Sequence, residues 1–172
     1  KAFLFCTILN EISGNEISAG GDSANAGGVI GQNCTSNYVP IDYTNSKLKA
    51  KKYIKYLDVK NNLVMAKGAL GDAGGIVGEF TTNNGNNQYE NRLTLEDVNV
   101  GVTKEEGKSS SNTIIGQEYV GGLCGYIKGM TYLRYHGDVK VGSEAGGNTL
   151  IGRVTGGLYG KNSLSREFDR TS

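Results

Sequence analysis

A six-residue segment recurs four times along the chain and constrains the fold more than any other feature. Its copies are Ala26-Gly27-Gly28-Val29-Ile30-Gly31, Ala73-Gly74-Gly75-Ile76-Val77-Gly78, Val120-Gly121-Gly122-Leu123-Cys124-Gly125 and Thr155-Gly156-Gly157-Leu158-Tyr159-Gly160. Counted between the first glycines, at positions 27, 74, 121 and 156, the steps are 47, 47 and 35 residues. Periods of this size indicate a solenoid, a propeller or an array. We therefore expect one repeat domain over residues 1–172, with a lead-in strand in 1–25, repeat cores near 26–33, 73–80, 120–127 and 155–162, and a tail over 164–172.

Each copy places two apolar residues between glycines, which predicts a short strand flanked by positions of special backbone geometry. Glycine is favoured where the backbone takes a positive φ or approaches another backbone closely. Stacked repeats place the same residue type above its predecessor. We therefore expect one inward row formed by Val29, Ile76, Leu123 and Leu158.

Further strands are predicted upstream of the glycine segments. An Asp-Val step recurs in Leu57-Asp58-Val59-Lys60, Glu96-Asp97-Val98-Asn99-Val100 and Gly137-Asp138-Val139-Lys140-Val141, and its alternation of polar and apolar residues is typical of a strand. The stretch from Glu11 to Ile17 has the alternation without Asp-Val. Asn112-Thr113-Ile114-Ile115-Gly116 is matched by Asn148-Thr149-Leu150-Ile151-Gly152, so each repeat should contain several strands. For residues 46–56 a lysine-rich helix and a strand starting near Tyr53 both remain open.

The motifs at 121–129 (Gly-Gly-Leu-Cys-Gly-Tyr-Ile-Lys-Gly), 135–139 (Tyr-His-Gly-Asp-Val) and 156–162 (Gly-Gly-Leu-Tyr-Gly-Lys-Asn) together resemble the GLUG repeat of large secreted and surface proteins. The resemblance covers most of residues 12–162. It implies an all-β fold, a parallel β-solenoid (β-helix) of about four irregular glycine-rich repeats, in a secreted or surface-anchored bacterial protein such as an adhesin or the stalk region of an immunoglobulin A protease. It implies no catalytic residue. The chain departs from the family pattern in its long inserts, and in Cys124 and Tyr159, which replace an aliphatic residue.

Composition narrows the classes of partner. The formal net charge of +1 gives no basic footprint for nucleic acid or for an anionic membrane. No apolar run reaches the roughly 20 residues needed for a membrane span. The start at Lys1, with an uncapped apolar stretch behind it, suggests a fragment or a processed form of a larger protein.

The cysteines provide no metal or redox framework. Cys6, Cys34 and Cys124 lack any CxxC or Cys/His spacing. Cys124 occupies an apolar position of the repeat, which predicts a small buried side chain. A disulfide between Cys6 and Cys34 stays open, because the odd number of cysteines weakens the case for it.

Candidates for catalysis are weak, and we assign no catalytic, cofactor-binding or metal-ligating residue and no cofactor. Any Ser-His-Asp or Cys-His mechanism must use the single histidine, His136, which lies in a predicted strand. Asp58, Asp97 and Asp138 could stack as carboxylate pairs of a polysaccharide-cleaving β-helix, but their recurrence marks them as elements of the repeat.

The sequence offers a few acidic residues as candidates for calcium binding and several tyrosines as candidates for recognition. The acids of Gly20-Gly21-Asp22 and Gly71-Asp72 are isolated and predict turns rather than calcium ligands. Tyrosine suits recognition of protein or sugar surfaces, and half of the ten tyrosines lie in or near the inserts, namely Tyr38, Tyr43, Tyr53, Tyr56 and Tyr89. The alternative is that they cover the flanks of the solenoid.

We therefore expect a non-catalytic structural or adhesive module, a stalk or filament component, located outside the cell or on its surface. Its partners would be a protein or glycan surface, with end-to-end self-association because exposed solenoid ends are edge strands. Nucleic acid and a membrane span are not expected. The alternatives are a β-helical carbohydrate-active enzyme acting on a polysaccharide and the non-catalytic region of a secreted protease.

Overall fold

The computed structural model describes residues 10–35, 52–82, 91–102, 108, 110–129, 131–142 and 147–164, and every regular element in these ranges is a β-strand. The first repeat contributes β1 (Asn10–Ser13), β2 (Glu16–Ala19), β3 (Ala26–Gly27) and β4 (Ile30–Thr35). The second contributes β5 (Lys52–Lys60), β6 (Leu63–Ala66), β7 (Ala73–Gly74) and β8 (Val77–Thr82). The third contributes β9 (Asn91–Val100), β10 (Thr113–Ile115), β11 (Tyr119–Gly121) and β12 (Cys124–Gly129). The fourth contributes β13 (Thr131–Val141), β14 (Thr149–Ile151), β15 (Val154–Gly156) and β16 (Tyr159–Leu164).

Four parallel sheets result, and each takes one strand from every repeat. Their orders are β1-β5-β9-β13 (sheet 1), β2-β6-β10-β14 (sheet 2), β3-β7-β11-β15 (sheet 3) and β4-β8-β12-β16 (sheet 4). Because equivalent strands always lie side by side, the repeats stack in sequence order. The predicted all-β class is confirmed, and the arrangement is consistent with a parallel β-helix.

The strands predicted from the Asp-Val steps are confirmed as β5, β9 and β13. Leu57 lies opposite Val98, and Val59 lies opposite Val100, so apolar residues at period two face one core. These four side chains are buried. The strand alternative is confirmed from residue 52 onward, and the alternative helix is wrong there, since β-branched and aromatic residues alternate against β9. Residues 46–51 of that prediction lie outside the described residues.

The glycine segment is a corner rather than a strand, which corrects the sequence interpretation. The first glycine ends a strand of sheet 3, the second glycine and the first apolar residue form a bend, and the second apolar residue begins a strand of sheet 4. The glycines are needed for close approach, since neither Gly75 nor Gly122 has a positive φ. A Cβ atom on Gly75 would overlap the carbonyl oxygen of Gly122, and one on Gly122 would overlap the carbonyl oxygen of Gly157.

The row of apolar residues at this corner forms as predicted, but only its central members are buried. The amide of each member donates to the carbonyl of the next, from Val29 to Ile76 (3.1 Å), from Ile76 to Leu123 (2.9 Å) and from Leu123 to Leu158 (2.9 Å). Ile76 and Leu123 are each 1% exposed, whereas Val29 is 36% and Leu158 48% exposed. In this row, a side chain is therefore covered only where a repeat lies on both sides of it.

A row of asparagines joins sheets 1 and 2 through all four repeats. Oδ1 of Asn62 accepts from the backbone amide of Asn15 (3.0 Å), Oδ1 of Asn112 from that of Asn62 (3.0 Å), and Oδ1 of Asn148 from that of Asn112 (3.2 Å). Since a backbone N–H can only donate, the facing side-chain atom is an oxygen, which fixes the orientation of each amide. The Asn112 side chain, fully buried, also donates to Val59 O (2.9 Å) and to Asn148 Oδ1 (2.8 Å). This asparagine ladder satisfies buried polar groups that would otherwise destabilise the fold.

Candidate functional site

The surface of the glycine corner carries two columns of side chains that do not repeat. One column lies two residues before the first glycine of each segment, and the other lies one residue after the third glycine. From the first repeat to the fourth, the pairs are Asn25 and Gln32, Asp72 and Glu79, Tyr119 and Tyr126, and Val154 and Lys161. We call these eight residues, with the adjoining Glu118 and Arg153, the corner strip. At the usual strand spacing it is about 14 Å long across four strands.

The half of the corner strip in the first two repeats is built from amides and carboxylates. Gln32 Nε2 donates to Glu79 Oε2 at 2.7 Å, and Asn25 Nδ2 donates to the same oxygen at 2.5 Å. Asn25 Oδ1 accepts from the backbone amide of Asp72 at 3.0 Å. These contacts fix the Glu79 carboxylate on the surface.

The other half combines two tyrosines with two cations. The rings of Tyr119 and Tyr126 are tilted by 53° with centroids 5.0 Å apart. Lys161 Nζ lies 4.7 Å and 5.2 Å from the two centroids and donates to the Tyr119 hydroxyl at 2.9 Å. This hydrogen bond raises the pKa of Lys161. Arg153 lies 5.7 Å from the Tyr119 centroid and forms an ion pair with Glu118, Nε to Oε2 3.0 Å. Cation–π contacts thus hold the tyrosines in place.

Asp72 joins the two halves of the strip and is a buried carboxyl group with a raised pKa. Its side chain is buried, with the residue 4% exposed, and Oδ1 accepts from the backbone amide of Tyr119 at 3.0 Å. Burial raises the pKa of Asp72 to about 6, the Tyr119 amide opposes this, Glu79 and Glu118 add to it, and Lys161 lowers it slightly. A carboxyl group that titrates near neutrality beside two further carboxylates is a feature of functional sites as well as of structural networks.

The aspartates of the Asp-Val steps lie elsewhere, and they do not form the single row that the sequence suggested. Asp58 lies opposite Asn99 rather than Asp97, and Asn99 Nδ2 donates to Asp58 Oδ1 at 2.7 Å. The alignment of inward apolar residues sets this register, and it offsets the two Asp-Val steps by two residues. Asp97 Oδ1 instead accepts from the backbone amide of Asp138 (2.9 Å), where a bulge interrupts the pairing of β9 with β13.

The remaining candidates are also separate from the corner strip. His136 is exposed on β13, opposite Glu96. Cys124 is fully buried, as predicted, and burial raises the pKa of its thiol far above the ordinary value. Cys6 lies outside the described residues, as does the side chain of Cys34.

The acids considered for calcium binding have two different environments. Asp22 is exposed in a turn, as predicted, whereas Asp72 belongs to the corner strip. Among the residues that the structure describes, no group of three or more histidine, cysteine, aspartate or glutamate side chains is arranged to hold a metal ion.

Two of the five tyrosines predicted in or near the inserts lie among the described residues. Tyr53 and Tyr56 are exposed on β5, and Tyr38, Tyr43 and Tyr89 lie outside the described residues. Sequence reasoning instead missed Tyr119 and Tyr126, because it searched for residues that the repeats share. Comparing the residues that differ at equivalent positions would have found them.

The structure is an all-β repeat protein, and the side chains of its corner strip differ from one repeat to the next. Comparisons with protein-family models, with curated proteins and with solved structures found no match to this chain. Within the described ranges, no helix has the length and apolar character required to cross a bilayer.

Proposed function

We propose that this chain is a parallel β-solenoid of the GLUG-repeat type, a non-catalytic adhesive module of a secreted or cell-surface protein, and that it binds a glycan through the corner strip. The parallel in-register stacking of all four repeats supports the solenoid. In such a scaffold each repeat contacts only its neighbours, which gives a stiff stalk with a long accessible surface. The GLUG resemblance supports the extracellular location.

The observation that carries the adhesive role is that the corner strip varies while the backbone beneath it repeats. Inward positions keep apolar side chains or glycine because packing requires them, whereas the two strip columns change from amides through carboxylates to tyrosines and a lysine. Variation at one place on a repeated scaffold is what a specific binding surface requires, since function resides in sites carried by folds.

The chemistry of the corner strip favours a neutral, hydroxyl-rich ligand. Carboxylates and amides accept and donate hydrogen bonds at one end, and tyrosine rings offer apolar area at the other. The strip carries charges of both signs, with acids at Asp72, Glu79 and Glu118 and bases at Arg153 and Lys161. A strongly charged ligand of either sign would therefore be repelled by one of these two groups. Sugar hydroxyl groups can pair with both halves.

A glycan array probed with the purified chain tests this proposal. We expect Tyr126→Ala to weaken binding of a captured glycan at least tenfold. Tyr135→Ala is the matched control, because Tyr135 is an exposed tyrosine of β13 outside the strip. His136→Ala should likewise leave binding unchanged. Failure to bind any glycan, or equal losses in Tyr126→Ala and Tyr135→Ala, would contradict the assignment of the strip.

A β-helical carbohydrate-active enzyme is the second candidate, and the buried Asp72 beside Glu79 and Glu118 is the observation that favours it. A carboxyl group with a pKa near 6 can act as a general acid near neutral pH. Incubation with polysaccharides, followed by assay of newly formed chain ends, separates the two. Product release by the wild-type chain that disappears in Asp72→Asn, with glycan binding retained, would establish the enzyme and refute the non-catalytic proposal.

A further inference from the structure

We propose that the two ends of the repeat stack are complementary and that the chain binds a second copy of itself head to tail, with the fourth repeat of one copy against the first repeat of the next. This inference rests on the solenoid part of the proposed function and is independent of glycan binding.

The asparagine ladder has a direction that leaves matching groups at its two ends. In every step the donor belongs to the earlier repeat and the acceptor is Oδ1 of the later one. Among the described residues, the last member, Asn148, has a backbone N–H with no acceptor, and the first, Asn15, has an Oδ1 that accepts from no donor. A second copy stacked in the same direction would bring these two groups together.

The backbone row at the glycine corner gives the same direction independently. Each amide donates to the carbonyl of the following repeat, and the row ends with Leu158, whose carbonyl accepts from both Leu123 and Cys124. Within the described ranges, the amide of Leu158 and the carbonyl of Val29 have no partner. They are the donor and acceptor that head-to-tail stacking would pair.

Apolar surface accompanies these polar groups at both ends. Leu158 and Val29 are 48% and 36% exposed, although their equivalents Ile76 and Leu123 are buried at 1% each. Stacking a second copy would give both end residues the environment of the central ones. Only a copy stacked in the same direction would continue both the asparagine ladder and the backbone row of the corner in register, which distinguishes the head-to-tail form from a symmetric dimer.

Two charged variants test the proposal, because they distinguish the ends. Val29→Lys alters only the first-repeat end and Leu158→Glu only the fourth-repeat end, while Leu70→Glu is the control, since Leu70 is 58% exposed within the second repeat. Sedimentation velocity over a range of concentrations measures association, and circular dichroism checks that each variant is folded. We expect the wild-type chain and Leu70→Glu to associate to the same extent.

In a head-to-tail contact each end variant alone should associate at least tenfold more weakly than the wild type. An equimolar mixture of Val29→Lys and Leu158→Glu should recover association, because contacts between alternating copies join either a lysine to a glutamate or two native ends. Loss with only one of the two variants would indicate a contact between like ends and overturn the proposal. A wild-type chain that stays monomeric, or a mixture that stays dissociated, would overturn it too. Glycan binding by folded monomeric variants would show that the failure concerns stacking alone.

Discussion

Replacing Asp72 by asparagine should stabilise the protein at neutral pH, although it removes a hydrogen-bonded side chain of the strip. The reason lies in the neighbouring repeat, where Asn25 occupies the equivalent position. Asn25 Oδ1 accepts from the backbone amide of Asp72 just as Asp72 Oδ1 accepts from that of Tyr119, both at 3.0 Å. An asparagine at 72 can therefore keep the hydrogen bond to Tyr119 without carrying a charge into a buried site.

The magnitude follows from the pKa of Asp72, which is raised from 3.8 to about 6 in the folded protein. The folded state therefore binds the proton more tightly than the unfolded state. The resulting stabilisation is fully present below about pH 4 and is lost as the pH rises through about 6. Raising the pKa of Asp72 from 3.8 to about 6 disfavours its charged form by about 3 kcal/mol. We expect the free energy of unfolding to fall by up to this amount across that window in the wild type, and to lack this component in Asp72→Asn.

Chemical denaturation at closely spaced pH values from 4 to 7.5 measures the effect. The two proteins should be equally stable near pH 4, and the variant should be more stable at pH 7 by about 2–3 kcal/mol. Asp22→Asn is the control, because Asp22 is an exposed aspartate of a turn, and it should follow the wild-type curve. Parallel curves for wild type and Asp72→Asn, or a variant that is less stable at pH 7, would refute the reasoning.

Three further outcomes can be measured by denaturation or labelling. Gly122→Val should lower the free energy of unfolding by about 2–3 kcal/mol, because a Cβ atom at Gly122 overlaps the carbonyl oxygen of Gly157. Gly157→Val should change it by less than about 1 kcal/mol, because a Cβ atom at Gly157 meets nothing within 4 Å. Similar losses at both sites would contradict the close-approach explanation. Asn112→Ala should lower the free energy of unfolding by about 3 kcal/mol, because it leaves buried polar groups of both neighbouring repeats without a partner, and Asn15→Ala should lower it by less than about 1 kcal/mol. A loss below about 1 kcal/mol in Asn112→Ala as well would mean that the ladder adds little stability. Cys124 should resist a thiol reagent in the folded protein and react in denaturant, because burial strongly disfavours its thiolate. Peptide mass mapping of the labelled protein measures this. Rapid labelling of the native chain would show that the residue is accessible.

The strands could be predicted wherever apolar residues alternate and the repeats align by eye. The prediction was correct for the Asp-Val strands, where a period of two residues leaves one choice of inward face. The prediction was wrong at the glycine segment, which is a bend and not a strand. Two β-branched or aliphatic residues between glycines are compatible with a bend as well as with a strand. Three-dimensional stacking decides between them. Gly122 must lie against the Gly157 carbonyl, and a single repeat read along the chain does not contain that contact.

The sequence indicates only two of the four members of the asparagine ladder. Asn112 and Asn148 stand in matching five-residue segments, but Asn15 and Asn62 have different neighbours and a different distance to their glycines. A ladder constrains one side chain per repeat and tolerates change around it, since each amide meets only the amides above and below and nearby carbonyls. Similarity between short segments is therefore a poor detector of such a row, and hydrogen bonding is a good one.

The candidate site was missed for the opposite reason, because a binding surface on a repeat protein is expected where the repeats disagree. The inward rows and the glycines are fixed by packing, so their recurrence reports the fold and nothing about a ligand. Tyr119 and Tyr126 stand where the second repeat has Asp72 and Glu79, on a backbone whose strand pairing is the same. Stability does not require that substitution, since the same bends and strands form with both pairs of side chains. Residues that the scaffold leaves free are those that recognition can use, and in this chain they meet along the corner strip.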